Sequence, residues 1–137
     1  MGTYWFLYQP INFDFIQLIL QAYPDYGIIY VTFHPNLPLL ASSSTNLVTK
    51  VYDLTTSLPS EKYVIKHHVD LVHIIVFHPN LCLLATSSFD RSIIVYDISA
   101  SPVTIKTQIW VHAIVDCMAF HSMNLFLVSS STIGILF

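Results

Sequence analysis

The sequence predicts an all-β chain of stacked four-stranded antiparallel sheets, about two of them complete plus part of a third. Three observations carry that expectation. The stretch "FHPNLPLLASSSTNLVTKVYDL", Phe33 to Leu54, returns as "FHPNLCLLATSSFDRSIIVYDI", Phe77 to Ile98, with 13 of 22 positions identical and no gap. A weaker third copy, "FHSMNLFLVSSS", runs from Phe120 to Ser131 and keeps the Phe-His pair, a leucine before the small residue and the serines. The spacing is 44 and then 43 residues, within the period of four-stranded propeller blades. Finally, the strands inside each copy carry apolar residues on both faces, so each sheet needs cover on both sides.

The second repeat shows the elements best. "VHIIVF", Val72 to Phe77, is β-branched and aromatic, which suits a strand. "HPN" turns the chain, because Pro79 fixes φ and Asn80 tolerates left-handed geometry. Leu83 to Ser87 forms a second strand, closed by a turn over Phe89, Asp90 and Arg91. A third strand spans Ser92 to Asp97, with Ile93 and Val95 on one face and Ile94 and Tyr96 on the other. "SASP" breaks the chain, and Val103 to Gln108 alternates as a solvated outer strand carrying Lys106 and Gln108. The first repeat follows the same order: Ile28 to Phe33, Leu39 to Ser43, Val48 to Asp53 and Tyr63 to Lys66, with "TTSLPSE" as the loop before its last strand. Residues 1–27 match no repeat; a helix over Phe13 to Ala22 and a strand over "TYWFLY" both fit them. The expected division is therefore 1–27, 28–66, 72–109 and 114–137.

Composition narrows function. Charged residues make up 9% of the chain and hydrophobic ones 54%, against averages of about 25% and about 45–50%. Five Lys and Arg against eight Asp and Glu leave a net charge of −3, with no basic face for phosphates, which argues against direct nucleic-acid binding. The most membrane-like stretch, "INFDFIQLILQA" from Ile11 to Ala22, contains Asn12, Asp14, Gln17 and Gln21. It is too short and too polar to cross a hydrocarbon core, which takes about 20 apolar residues, and it lacks a positive flank. Cys82 and Cys117 sit at non-matching repeat positions, and no Asn-x-Ser/Thr sequon occurs. Both features suit a reducing, intracellular setting.

The repeat ends, Tyr52-Asp53 and Tyr96-Asp97, with the Phe-His pairs Phe33-His34, Phe77-His78 and Phe120-His121, resemble the WD40 repeat family. There a Trp-Asp pair closes each blade; here tyrosine stands in place of tryptophan. The resemblance implies a partial β-propeller. It also implies a hydrogen-bonded tetrad, with His68 nine residues before Phe77, Thr86 or Ser88 on the second strand, Asp90 in the turn and Tyr96 as the aromatic member. In the first repeat Pro24 falls at the histidine position and Asn46 at the aspartate position. In the third, His112 lies one residue too close to Phe120 and Ile133 replaces the aspartate. Within the family, "LATSSFDRSIIVYDIS" and "IWVHAIVDCMAFH" are most similar to the propeller of plant LEUNIG-type, Groucho-like transcriptional corepressors, which implies a nuclear setting.

Other chemistries compete for the same residues. His68, His73 and His78 are five apart, so on extended chain they alternate sides and do not converge on one ion. Ser87, His68 and Asp90 could be imagined as a hydrolase triad, but no Gly-x-Ser-x-Gly elbow is present and the tetrad already accounts for them. No glycine-rich phosphate loop occurs, and aromatic residues without basic companions read as core. The expectation is a non-catalytic protein-interaction scaffold without metal or cofactor, binding other proteins and neither nucleic acid nor membrane. Two and a fraction blades leave open sheet faces and edges that further blades or self-association would have to cover. The alternative is a degenerate, partial gene product without a function of its own.

Overall fold

Strand β1 (Ile28–Phe33) starts a run of short strands that alternate direction. It is followed by β2 (Leu39–Ser44), β3 (Thr49–Asp53) and β4 (Ser60–Ile65), which form one antiparallel sheet in the order β1-β2-β3-β4. The second sheet repeats the order with β5 (Val72–Phe77), β6 (Leu83–Ser88), β7 (Ser92–Asp97) and β8 (Thr104–Trp110). The third comprises β9 (Val115–Phe120), β10 (Leu127–Ser131) and β11 (Gly134–Leu136), with β10 central. The computed structural model describes residues 26–131 and 134–136. The expectations for residues 1–25, including the helix at Phe13 to Ala22, Pro24 and the strand at "TYWFLY", and for Ile133, lie outside the described residues.

The repeat is preserved down to its irregularities. Register slips between Ile28 and Tyr30 in the first sheet and between Val72 and Ile74 in the second, positions one period apart. A second slip separates Val51 from Tyr52, and Val95 from Tyr96. The β2–β3 and β6–β7 turns place Leu47 at φ 69° and Arg91 at φ 66°, again one period apart. Each donates its N–H to the carbonyl three residues earlier, Leu47 to Ser44 and Arg91 to Ser88, both at 3.1 Å.

Two outer strands differ from expectation. β4 begins at Ser60, inside the predicted "TTSLPSE" loop, because Asp53 and Tyr52 of β3 pair with Ser60 and Glu61. β8 runs on to Trp110, since Ser92 and Ile93 of β7 pair with Trp110 and Ile109.

Burial follows the stacking. β2 and β6 are buried at all six positions, so both faces of the inner strands are covered. One core cluster joins Leu39, Val51, Tyr63 and Ile65 of the first sheet to Ile75, Phe77, Ile94 and Tyr96 of the second. The next joins Leu83, Ala85, Ile93 and Val95 of the second sheet to Val115 and Met118 of the third. The odd and even residues of β7 thus serve opposite seams, as the period-two alternation of a strand requires.

Candidate functional site: a buried polar network beneath an apolar edge

The segment between β4 and β5 carries His68 into the second sheet, where its side chain is 2% exposed. A buried imidazole needs partners at both nitrogens. Nδ1–H donates to Asp90 Oδ2 at 2.9 Å, with Ser92 Oγ 3.1 Å away as a second acceptor. Nε2 then accepts from the Thr86 hydroxyl at 2.7 Å. Asp90 accepts two further bonds at Oδ1, from Ser92 N–H at 2.8 Å and Ser92 Oγ–H at 2.6 Å. The Val69 N–H reaches Oδ2 at 3.1 Å. One carboxylate therefore holds the strand that follows it and the loop that precedes β5.

The electrostatics follow from that crowding. Burial lowers the His68 pKa, and Asp90 offsets only part of the shift, so the ring is neutral at pH 7. Burial raises the Asp90 carboxyl, but the bonds from Ser92, His68 and Val69 outweigh it and hold the group below its ordinary range.

Of the two second-strand candidates, Thr86 faces His68, whereas Ser88 accepts the Asp90 N–H at 3.0 Å and shapes the turn. The Tyr96 hydroxyl is buried without a hydrogen-bond partner. Burial pushes its pKa up to about 12, which the neighbouring Thr86 hydroxyl offsets only in part. The phenol does not close the link that an aromatic N–H would make. Ser92 went unnoticed in the sequence, although Asp-x-Ser at a turn is the spacing at which a carboxylate accepts the N–H two residues on. At the equivalent turn of the first repeat, Asn46 Oδ1 accepts the Val48 N–H, at 3.2 Å.

The Phe-His residues lie at the opposite edge and stitch neighbouring sheets. His34 Nδ1 accepts the N–H groups of Asn36 and Leu37, both at 3.0 Å. His78 Nδ1 accepts those of Asn80 and Leu81 at 3.1 and 3.0 Å, and its Nε2–H donates to the Asn124 carbonyl at 2.9 Å. The His34 ring lies 5.1 Å from that of Phe77, and the His78 ring 5.1 Å from that of Phe120. Asn36 donates to the Pro79 carbonyl at 2.7 Å, and Asn80 to the Ser122 carbonyl at 2.6 Å. Each histidine thus fixes its own turn while its ring and the nearby asparagine grip the next sheet. His121 accepts the Met123 N–H, at 3.1 Å, and is exposed.

Three expected equivalents therefore sit in unlike surroundings. Phe77 is 7% exposed beneath His34, Phe120 is half-buried beneath His78, and Phe33 is 62% exposed, with no described histidine placed before it. Asp53 and Asp97 turn their chains instead of entering the core, accepting the N–H groups of Thr55 at 2.8 Å and Ser99 at 2.9 Å. Tyr52, like Tyr96, is buried with an unpartnered hydroxyl.

The imagined nucleophilic set is not assembled. Ser87 Oγ is buried without a partner, and both His68 nitrogens are engaged by Thr86, Asp90 and Ser92. Among the described residues, no group of three His, Cys, Asp or Glu side chains could hold a metal ion, and Cys82 and Cys117 are free and exposed. No described helix is long and apolar enough to cross a membrane.

Residues 59–97, which contain most of this network, match the WD domain, G-beta repeat family. The match covers about one repeat of the chain. Among the described residues the fold is that of a partial WD40 propeller, with two four-stranded blades and three strands of another. It is similar to the crystal structure of Sqt1 from Saccharomyces cerevisiae, with a TM-score of 0.69 and 14% identity over 80% of this chain and 30% of that one. It is also similar to a chain in the crystal structure of the mitotic checkpoint complex, with a TM-score of 0.66 and 18% identity over 76% of this chain and 31% of that one. The chain thus spans about a third of the length of either. No curated protein matches it.

The network has a surface consequence. Starting β5, ending β6, starting β7 and ending β8 all fall at one edge, as the pairs Val72 with Ser88 and Ser92 with Trp110 require. That edge displays Val69 (78% exposed), Phe89, Trp110 (67% exposed) and Ile114. Asp90, holding the Val69 N–H, fixes the loop that presents the first of them.

Proposed function

We propose that this chain is a non-catalytic protein-interaction module of WD40 type, working through the edge at Val69, Phe89, Trp110 and Ile114. The observation that carries the reading is four large apolar side chains exposed at one edge of the second sheet, where Asp90 of the buried network holds the Val69 backbone. Exposed apolar clusters of this kind mark interaction surfaces, and a rigid presenting loop loses little entropy on binding. The similarity to a chain in an assembly named a checkpoint complex supports the same class of role.

The working units we propose are 28–66, 72–109 and 114–137, with 1–27 outside the repeat. His68, Thr86, Asp90 and Tyr96 have structural roles, and Phe33, His34, Tyr52, Asp53, Phe77, His78, Asp97, Phe120 and His121 form the repeat frame. A narrower proposal, transcriptional corepression in the nucleus, rests on the likeness of "LATSSFDRSIIVYDIS" and "IWVHAIVDCMAFH" to LEUNIG-type corepressors.

Affinity purification of the full chain beside the Val69→Asp/Trp110→Asp variant tests the module. Partners retained by the parent and lost by a variant with the same melting curve support it. Partners equally retained, or turnover of generic esters abolished by Ser87→Ala, refute it.

A further inference from the structure

The seam between the first two sheets is filled at its inner strands and opens at its outer ones. Between β4 and the β7–β8 connection lies a cavity of about 300 Å³, with Lys62, Tyr63 and His67 on one wall and Ser101, Pro102 and Val103 on the other. Both walls belong to four-stranded sheets, so the opening is a property of the seam itself.

Its chemistry is one-sided. Lys62 and His67 line the cavity and no carboxylate does. The nearby acidic groups are engaged elsewhere. Glu61 pairs with Lys50 at 2.9 Å, and Asp53, whose charge Lys62 also feels, accepts the Thr55 N–H at 2.8 Å. Among the described residues Lys62 enters no ion pair, and its ammonium rests 5.5 Å from the centre of the Tyr63 ring. The His67 ring lies 5.5 Å from that of Tyr96, and its nitrogens make no hydrogen bond to a described residue. The Ser101 hydroxyl has no such partner either.

That hydroxyl sits on an accessible connection, exposed from Ser99 to Pro102. Pro102 has no N–H to add to the β7–β8 ladder, whose pairing starts at Thr104, so Ser101 stays outside the sheet. Phosphoserine carries a charge of about −1.5 to −2 at pH 7 and three acceptor oxygens, which order a segment where they meet cations and disrupt it beside a carboxylate. The two serines of this connection differ in that respect. The Ser99 hydroxyl donates to the Asp97 carboxylate, whereas Ser101 shares its cavity with Lys62 and His67.

We propose that Ser101 is a phosphorylation site and that its phosphate is received by Lys62 and His67 across the seam. The hydroxyl oxygen attacks the γ-phosphorus of a nucleoside triphosphate held by a protein kinase. The new O–P bond forms as the bond to the bridging oxygen breaks, the nucleoside diphosphate leaves with that electron pair, and the hydroxyl proton passes to the kinase's base. The product is a strap, covalent to the second sheet and ion-paired to β4 of the first.

The test compares the full chain carrying phosphoserine at 101, introduced during translation, with the unmodified chain. Tm should rise by about 3–6 °C at low salt, and at least half of the gain should vanish in about 0.5 M NaCl. Lys62→Gln/His67→Gln should abolish the gain, Lys62→Gln alone should halve it, and phosphoserine at 99 should give none. Incubating the full chain with ATP and a eukaryotic cell extract should place phosphate on Ser101, read by mass spectrometry. Val69→Asp/Trp110→Asp should be modified alike, which separates this site from the edge proposed above. No phosphate on Ser101, a Tm unchanged or lowered by phosphoserine at 101, or a gain that survives the double variant overturns the proposal.

Discussion

Replacing Asp90 by alanine removes the acceptor of four hydrogen bonds, and their separate fates set the cost. The Val69 N–H lies in an exposed loop and recovers a bond to water. The His68 Nδ1–H retains Ser92 Oγ at 3.1 Å as a weaker acceptor. The Ser92 N–H is buried and has no replacement. A bond to a charged group contributes about 1.5–3 kcal/mol and an orphaned buried donor costs about 1–3 kcal/mol. Allowing for relief of the carboxylate's own desolvation, Asp90→Ala should destabilise by about 3 kcal/mol. For a chain of this size that lowers Tm by about 10 °C. Asn46→Ala, at the equivalent turn, loses one backbone bond at 3.2 Å and should cost less than about 1 kcal/mol. Urea and thermal unfolding of the full chain compare the two directly. Equal losses, or an Asp90→Ala loss under about 1 kcal/mol, would refute the network as the organiser of the second blade.

Further expectations concern the seams, the turns and pH. His78→Ala removes a fully buried ring and three hydrogen bonds and should cost about 2–4 kcal/mol, whereas His121→Ala should cost under about 1 kcal/mol by urea unfolding. Ser43→Ala breaks the 2.7 Å bond from its hydroxyl to the Val72 carbonyl and should destabilise by about 1 kcal/mol. Ser87→Ala removes an orphaned hydroxyl, because His73 Nε2 occupies the equivalent carbonyl of Val115, and should be neutral or stabilising; a loss above about 1 kcal/mol contradicts this. Leu47→Gly and Arg91→Gly place glycine at positive φ and should each raise stability by up to about 1 kcal/mol, read as an increased melting temperature. Burial lowers the folded pKa of both His68 and His34, so the unfolded chain takes up protons first. Stability is therefore full above the unfolded value near 6.5 and falls as pH drops below it towards the folded values. Asp90, with its pKa lowered, adds a further loss only below about 3.8. The slope of urea midpoint against pH between 6.5 and 5 should flatten in His68→Gln, and an unchanged slope speaks against a buried neutral imidazole.

The all-β stack was legible because the repeat fixes both the period and the strands, and apolar residues on both faces of Ser92 to Asp97 demanded two covers. The outer strands were less legible. Ser60 and Glu61 are polar and resemble loop, yet backbone pairing to β3 makes them strand. The polar network could be located by family resemblance through His68 and Asp90, but its wiring could not. Whether Thr86 or Ser88 meets His68 depends on which face of β6 each occupies, and Ser92 enters only through turn geometry. The seam role of His34 and His78 was out of reach for a different reason. A Phe-His pair repeated every 43 or 44 residues signals a shared position, whereas the ring contacts cross to the following sheet.

Proton–proton contacts across the seams test the stacking most directly. A nuclear Overhauser spectrum of the full chain should show cross-peaks from the His34 ring to the Phe77 ring and from the His78 ring to the Phe120 ring, each pair 5.1 Å apart between centroids. Cross-peaks confined to residues of each histidine's own sheet would mean that the sheets do not lie face to face.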